Sequence, residues 1–322
     1  MPFYVFIALS VFLISLLGTR LMILALRKKT IMMDIPSLRS NHSAPTPRGG
    51  GIAVVIAIVI GLLLADVNQY GILLAVFLLA AVSLLDDLIS VPVMVRLLVQ
   101  VMAVSIPLSM LHQPLFGGYL PLWLDKTIIA VLWIWFINLF NFMDGIDGIS
   151  AAEMVSIGTG LLLLYVIEGI FPDTLSIYGL VIATAGCGFV WWNWHPAKIF
   201  LGDVGSVPIG FLLGYILLEA ALKGYGYVAL ILPAYYLSDG TITIFRRLWQ
   251  RKKIWIAHSE HYYQRAVRHG RSHDAVVRMI IGVNLLLILL ATLSVLHHDI
   301  AIFDLAIAYM AVFMLLGFFA HD

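Results

Sequence analysis

Carboxylates stand at the ends of apolar runs in three places. These are Leu84-Leu85-Asp86-Asp87, Asn138-Leu-Phe-Asn141-Phe-Met-Asp144-Gly145-Ile-Asp147-Gly148, and Phe200-Leu-Gly-Asp203-Val-Gly-Ser206. An ionised group at the edge of a hydrocarbon-length run is expensive and is usually functional. Acidic oxygens gathered at a membrane surface suit a hard cation, and the natural third party to such a cation is phosphate. Phosphate chemistry at a bilayer is the expectation.

The motifs differ in what they allow. Asp86 and Asp87 are followed by Arg96 and Gln100, whose i, i+4 spacing puts both on one helical face. Adjacent carboxylates are not both comfortable ionised without a cation, so one could bind metal or act as a base. A solvated acidic pair beside a snorkelling arginine is the plainer alternative. In Asn138 to Gly148, two amides and two carboxylates crowd one span end, able to bind a sugar amide, a base or a metal-bound phosphate. Asp203 could cap the helix that follows it, or hold Mg2+ between itself and a phosphate at that helix N-terminus. Trp194-His195-Pro196-Ala197-Lys198 precedes it and a cap alone does not explain that segment.

Two basic loops add candidates. His258-Ser-Glu-His261-Tyr-Tyr-Gln264-Arg265 has histidines three apart but no further clustered ligands to complete a zinc set, so phosphate binding is the better reading. Arg39-Ser40-Asn41-His42 leads through two prolines to Arg48-Gly49-Gly50-Gly51, where the triple glycine would let backbone amides reach an anion. Asp239, about two turns before Arg246, faces either the site or a structural partner.

The elements that must position these groups are membrane helices. Hydrophobic residues make up 62% of the 322 and charged residues 11%, against about 25% charged in a soluble domain. At roughly 20 residues per crossing, the chain reads as an all-α polytopic membrane protein with about eleven transmembrane helices. They are placed near 3–26, 50–66, 70–85, 93–111, 128–143, 150–169, 175–194, 206–222, 226–245, 276–297 and 300–320. The first run reads as a span rather than a cleavable signal peptide, since it lacks a basic n-region and is followed by Arg27-Lys28-Lys29. The single cysteine, Cys187, excludes an internal disulfide and reads as a small lipid-buried residue. The whole forms one integral membrane domain with polar loops 27–49 and 246–275, the second long enough for a short helix or hairpin.

Lys and Arg concentrate in those two loops, which the positive-inside rule makes cytoplasmic. The N-terminus is then outside, and the ends of the third, fifth, seventh and ninth spans return to the cytoplasm. Every chemically suggestive segment falls on that one face. The formal net charge of +1 says nothing about partners, and no nucleic acid is expected.

Together the motifs resemble the polyprenyl-phosphate N-acetylhexosamine-1-phosphate transferases of glycosyltransferase family 4, a superfamily that includes the phospho-MurNAc-pentapeptide translocase. The likeness runs from Asp34 through Arg265 in order and span position. It implies transfer of a sugar 1-phosphate from a UDP-N-acetylhexosamine to undecaprenyl phosphate, with release of UMP. It also implies Mg2+, with Mn2+ as an alternative, and a site facing the cytoplasm of a bacterial inner membrane. By that resemblance Asp86, Asp87, Asp144 and Asp147 are the catalytic set, and Asp203 and Asp144 are metal ligands. From the residues and the resemblance together, Asn138, Asn141, Arg48, Arg96, Gln100, Lys198, His258, His261 and Arg265 are expected to bind substrate. The Arg39 to Gly51 and His258 to Arg265 segments are similar to the branch that initiates O-antigen or exopolysaccharide synthesis. The peptidoglycan branch carries a His-His-His-type loop, and often a lysine after the aspartate pair where this chain has Ser90.

No Ser, Cys or Thr is placed as an obvious nucleophile, which favours direct attack of the lipid phosphate on the β-phosphorus. A two-step route through an aspartyl-phosphate on Asp86 stays open. The competing reading is a polytopic transporter or flippase of an anionic lipid or nucleotide sugar. It would place its binding groups near the midplane, often across inverted repeats, whereas here they collect at one face.

Overall fold

The structure, a computed structural model, describes residues 2–29, 31–35, 45–170, 173–253 and 258–321. It is a bundle of α-helices: α1 (Pro2–Lys29), α2 (Gly50–Leu64), α3 (Tyr70–Ile89), α4 (Val93–Ser109), α5 (Leu122–Met143), α6 (Ile149–Ile167), α7 (Thr174–Asn193), α8 (Asp203–Leu222), α9 (Gly226–Ile231), α10 (Ala234–Trp249), α11 (Tyr262–Arg268), α12 (His273–Leu296) and α13 (Ala301–His321). The Arg39 to His42 segment lies outside the described residues.

Eight helical segments are long and apolar enough to cross a membrane, and α2 and α4 are shorter apolar helices. Ten of the expected spans therefore coincide with apolar helices, though two of the ten are short. The ninth, 226–245, does not hold as one element. Pro233 has no N–H to continue a helix and instead caps a new one, so the run splits into the six-residue α9 and the amphipathic α10. The short helix expected in the loop 246–275 is α11.

The α6, α7 and α8 helices are the most buried long helices, while α1, α3 and α13 are peripheral. On α1, Leu9, Leu13, Leu17, Leu21 and Leu24 are exposed, and Val11, Ser15, Thr19 and Ile23 are buried on the opposite stripe. A leucine face of that length on the outside of a bundle suits hydrocarbon as its solvent. Cys187 is also on the outer surface. The α1 helix packs on α2 and α7, α7 on α6, and α8 on α3 and α5.

The α2 and α8 N-termini approach closely enough that a Cβ on Gly51 would stand 2.2 Å from the Gly205 Cα. Only glycine permits this contact, which brings the start of α8 against the Arg48 loop. That loop forms a two-residue antiparallel pair, β1 (Met33–Asp34) with β2 (Thr46–Pro47). Arg48 then bridges Phe200 in parallel. The amides of Gly49 and Gly50 donate to Phe200 O at 3.2 and 2.9 Å, and Gly51 N–H donates to Leu201 O at 2.9 Å. The triple glycine thus serves close chain pairing. Its amides are occupied by carbonyls and do not form the anion cradle expected from sequence.

Candidate active site

Four helix ends meet at one end of the bundle. The C-terminus of α3 brings Asp86 and Asp87, the start of α4 brings Arg96 and Gln100, the end of α5 brings Asn138, Asn141 and Asp144, and the start of α8 brings Asp203 and Ser206. Asp86 Oδ1 accepts from Val91 N–H at 2.7 Å, and Asp86 Oδ2 accepts from Arg96 Nη1–H at 2.5 Å. The same Arg96 nitrogen stands 3.6 Å from Asp203 Oδ2, and the Asp86 and Asp203 carboxyls are themselves within hydrogen-bonding reach. Asn141 Nδ2–H donates to Asp203 Oδ1 at 3.0 Å and to Ser206 Oγ at 2.8 Å.

Asp87 takes the cap that Asp203 could have provided. Its carboxylate accepts from Asp203 N–H at 3.4 Å and Val204 N–H at 3.1 Å, closing the α8 N-terminus from a different helix. Gly202 precedes α8 with φ at 75°, a left-handed conformation, and a Cβ there would stand 3.0 Å from Asp87 Oδ2. Asp203 is left as the first residue of α8, free of capping duty.

Gln100 and Asn138 form an amide pair, with Asn138 Nδ2–H to Gln100 Oε1 at 2.7 Å. Together with Ser83, Arg96, Asn141 and Asp203 they give the polar lining of a cavity of about 90 Å³, whose other wall is apolar side chains such as Leu79, Leu97 and Val207. One site therefore offers a polar head position and a hydrocarbon wall.

Asp144 caps the end of α5, just outside the helix. Burial, together with the charges of Asp203 and Asp87, pushes its carboxyl up to about 7, against a hydrogen bond with Ser150 and the charge of Arg48. Arg48 pairs with Asp34 at 2.8 Å and stands near enough to feel Asp87 and Asp203.

The Asp147 side chain has a different set of partners. Its Oδ2 lies 2.6 Å from His195 Nδ1 and 3.3 Å from His273 Nδ1, and it accepts from Ala197 N–H at 3.1 Å. Burial would raise Asp147, yet these partners hold it below the ordinary carboxylate range. The trio could take a metal through two nitrogens and one oxygen, but its carboxylate oxygen is already engaged by three groups. Asp147 is placed by its partners as an anchor for the 195–197 turn, apart from the catalytic set in which it was expected.

Two further candidates, Lys198 and Arg265, make contacts other than those expected. Lys198 is exposed and lies over the Trp192 ring at 5.1 Å. Arg265 donates to Ala320 O at 3.3 Å and covers the Tyr262 ring at 5.5 Å, facing α13. His258 stacks on His261 at 5.0 Å. His261 is buried and its Nδ1 faces Asp239 at 3.3 Å.

Sequence reasoning missed His273 and the capping role of Asp87. The partners of both come from distant helices, and no spacing in the chain announces them.

The carboxylates gathered around Asp203 are those of Asp86, Asp87 and Asp144, with Arg96 and the already paired Arg48 as nearby cations. Converging carboxylates with so little compensating charge fit a hard divalent cation.

Fold and site thus define a multi-helix protein of membrane-spanning composition with an acidic, amide-rich site at one end of the bundle. The glycosyl transferase family 4 model matches residues 69–221. The chain is 30% identical over 263 residues to a Bacillus subtilis (strain 168) protein named a probable undecaprenyl-phosphate N-acetylglucosaminyl 1-phosphate transferase, covering 77% of this chain and 73% of that one. It is 27% identical over 293 residues to the decaprenyl-phosphate N-acetylglucosaminephosphotransferase of Mycolicibacterium smegmatis, covering 76% and 71%. It is also 27% identical over 293 residues to the phospho-N-acetylmuramoyl-pentapeptide-transferase of Desulforapulum autotrophicum, covering 78% and 80%. The chain belongs to glycosyl transferase family 4.

Proposed function

We propose that this protein transfers an N-acetylhexosamine 1-phosphate from a UDP-sugar to undecaprenyl phosphate, releasing UMP. The product, a polyprenyl-diphosphate-linked sugar, would initiate O-antigen or another cell-surface polysaccharide. The site would face the cytoplasm of a bacterial inner membrane, because the basic residues of the 246–275 loop gather at the site's end of the chain's spans.

The observation that carries the reading is the Arg96 bridge between Asp86 and Asp203, with Arg96 and Asp203 lining a cavity that has an apolar wall. A lipid phosphate needs both a cationic contact for its head and hydrocarbon for its tail. Arg96 supplies the first, the Gln100–Asn138 pair adds amide donors, and the α3, α4 and α8 side chains supply the second.

In the direct route, an oxygen of the lipid phosphate forms a bond to the β-phosphorus while the bond from that phosphorus to the UMP oxygen breaks. In this reading Asp86 takes a proton from the incoming phosphate, and Arg96 holds that phosphate near Asp203. Asn141 orients Asp203, and Asp87 fixes the α8 turn that carries it. Mg2+, with Mn2+ as an alternative, would be held by Asp203 and Asp144 and would offset charge on the diphosphate.

Purified protein in detergent, given undecaprenyl phosphate, Mg2+ and a panel of UDP-N-acetylhexosamines, tests this directly. One sugar should yield lipid-dependent UMP. No UMP with any sugar, while lipid or nucleotide still binds, would reject the transferase reading.

A further inference from the structure

Asp239 is fully buried on α10 and gathers five donors. Tyr235 Oη–H and Thr243 Oγ1–H reach it from its own helix at 3.3 and 3.2 Å. The other three come from the 258–268 segment: Tyr262 N–H at 3.0 Å, Tyr263 N–H at 3.2 Å and His261 Nδ1–H at 3.3 Å. One carboxylate therefore fixes both the start of α11 and the His261 ring.

That ring is held on several sides at once. It stacks on His258 at 5.0 Å and on Tyr263 at 5.7 Å. Its Nε2 is buried and meets no hydrogen-bond partner among the described residues. Buried nitrogens are normally paired, so an unmatched one on an immobilised ring is what a ligand atom would satisfy. The same segment is tied to the last turn of α5, just before Asp144, because Tyr263 Oη–H donates to Phe142 O at 3.1 Å.

We propose that Asp239 is a positioning residue for the nucleotide side of the site, holding His261 so that Nε2 meets a phosphate oxygen of the UDP-sugar. The proposal rests on the transferase reading above. A carboxylate on Nδ1 decides which ring nitrogen carries the proton and which is presented. With a second proton on the ring, Nε2–H is a charge-assisted donor of the kind phosphate accepts. Arg265, turned to Ala320 O, leaves that contact to His261.

The test compares wild type, Asp239→Asn, His261→Ala, their double variant and Thr243→Val. Steady-state kinetics are run against UDP-N-acetylhexosamine and undecaprenyl phosphate in turn, with binding of UDP measured separately. Asp239→Asn preserves shape and keeps one acceptor oxygen but removes the charge that fixes His261. Its kcat/KM for the nucleotide sugar and its UDP affinity should fall about tenfold or more, with KM for the lipid unchanged. The double variant should lose no more than His261→Ala, because the effect of Asp239 runs through that ring. Thr243→Val removes another donor to the same carboxylate and should lower thermal stability while leaving kcat/KM intact.

Wild-type kcat/KM in Asp239→Asn, or equal losses in Asp239→Asn and Thr243→Val, would overturn the assignment. If Asp239→Asn does not fold, unaltered UDP affinity in His261→Ala overturns it. A wild type that binds UDP but forms no lipid product fails the transferase reading instead, and the UDP comparison still decides the role of Asp239.

Discussion

The Asp87 carboxylate of α3 closes the N-terminus of α8, accepting the amides of Asp203 and Val204. One aspartate of the adjacent pair is thereby committed to structure while Asp86 keeps its contact with Arg96. The cap also sets where Asp203 stands.

Removing it should cost both stability and activity. Asp87→Ala should lower stability by about 1 kcal/mol, the usual worth of an N-terminal cap, and displace Asp203 enough to reduce turnover. Asp87→Asn keeps one acceptor oxygen and should recover much of the stability. Thermal unfolding in detergent, read beside UMP release, checks the order; Asp87→Ala as stable as wild type would contradict it.

Arg96 should govern the lipid side. Arg96→Ala leaves Asp86 and Asp203 facing one another without their shared cation, and KM for undecaprenyl phosphate should rise about tenfold or more. Arg96→Lys keeps the charge but cannot reproduce the planar fork, and should fall between. Varying lipid at saturating nucleotide sugar measures this; an unchanged lipid KM would remove Arg96 from the acceptor site.

Asp203 should carry the cation dependence. Asp203→Asn should lose most Mg2+-dependent turnover, on the order of a hundredfold. A titration of UMP release with Mg2+ and Mn2+ checks it. Full turnover with unaltered metal dependence would sink the assignment.

How much of this could be read from the chain depended on whether a motif's partners lay within it. Asp86, Asn141, Asp144 and Asp203 were legible because each ends an apolar run, where an ionised or amide group is costly, and the parity of the spans put them on one face. Asp147 sits in the same motif, yet its side chain goes to His195 and His273, and no periodicity signals a pairing across 126 residues. Gly49 to Gly51 had the composition of an anion cradle, but Phe200 and Leu201 carbonyls fill it through a strand-like contact invisible in sequence. The break in the ninth span was signalled by Pro233 and hidden by the hydropathy on either side.

The His258 loop should be sensitive to acid. Burial and the neighbouring His261, Arg247 and Arg246 lower His258 from 6.5 to about 4, so the folded protein holds it neutral. Between those values the unfolded chain binds more protons, so this contribution is present above pH 6.5 and lost as pH falls toward 4. The thermal midpoint of wild type should drop between pH 7 and pH 5, and His258→Gln should drop less. Identical drops in the two proteins would contradict the neutral histidine.

In the proposed reaction the β-phosphorus moves with the sugar. UDP-N-acetylhexosamine labelled with 32P at the β-phosphate, incubated with the protein, Mg2+ and undecaprenyl phosphate, separates the possibilities in one extraction. Transfer of a sugar 1-phosphate puts the label in the organic phase and leaves unlabelled UMP in water. Label that stays in water as UDP, while the sugar enters the lipid, would show ordinary glycosyl transfer and contradict the account.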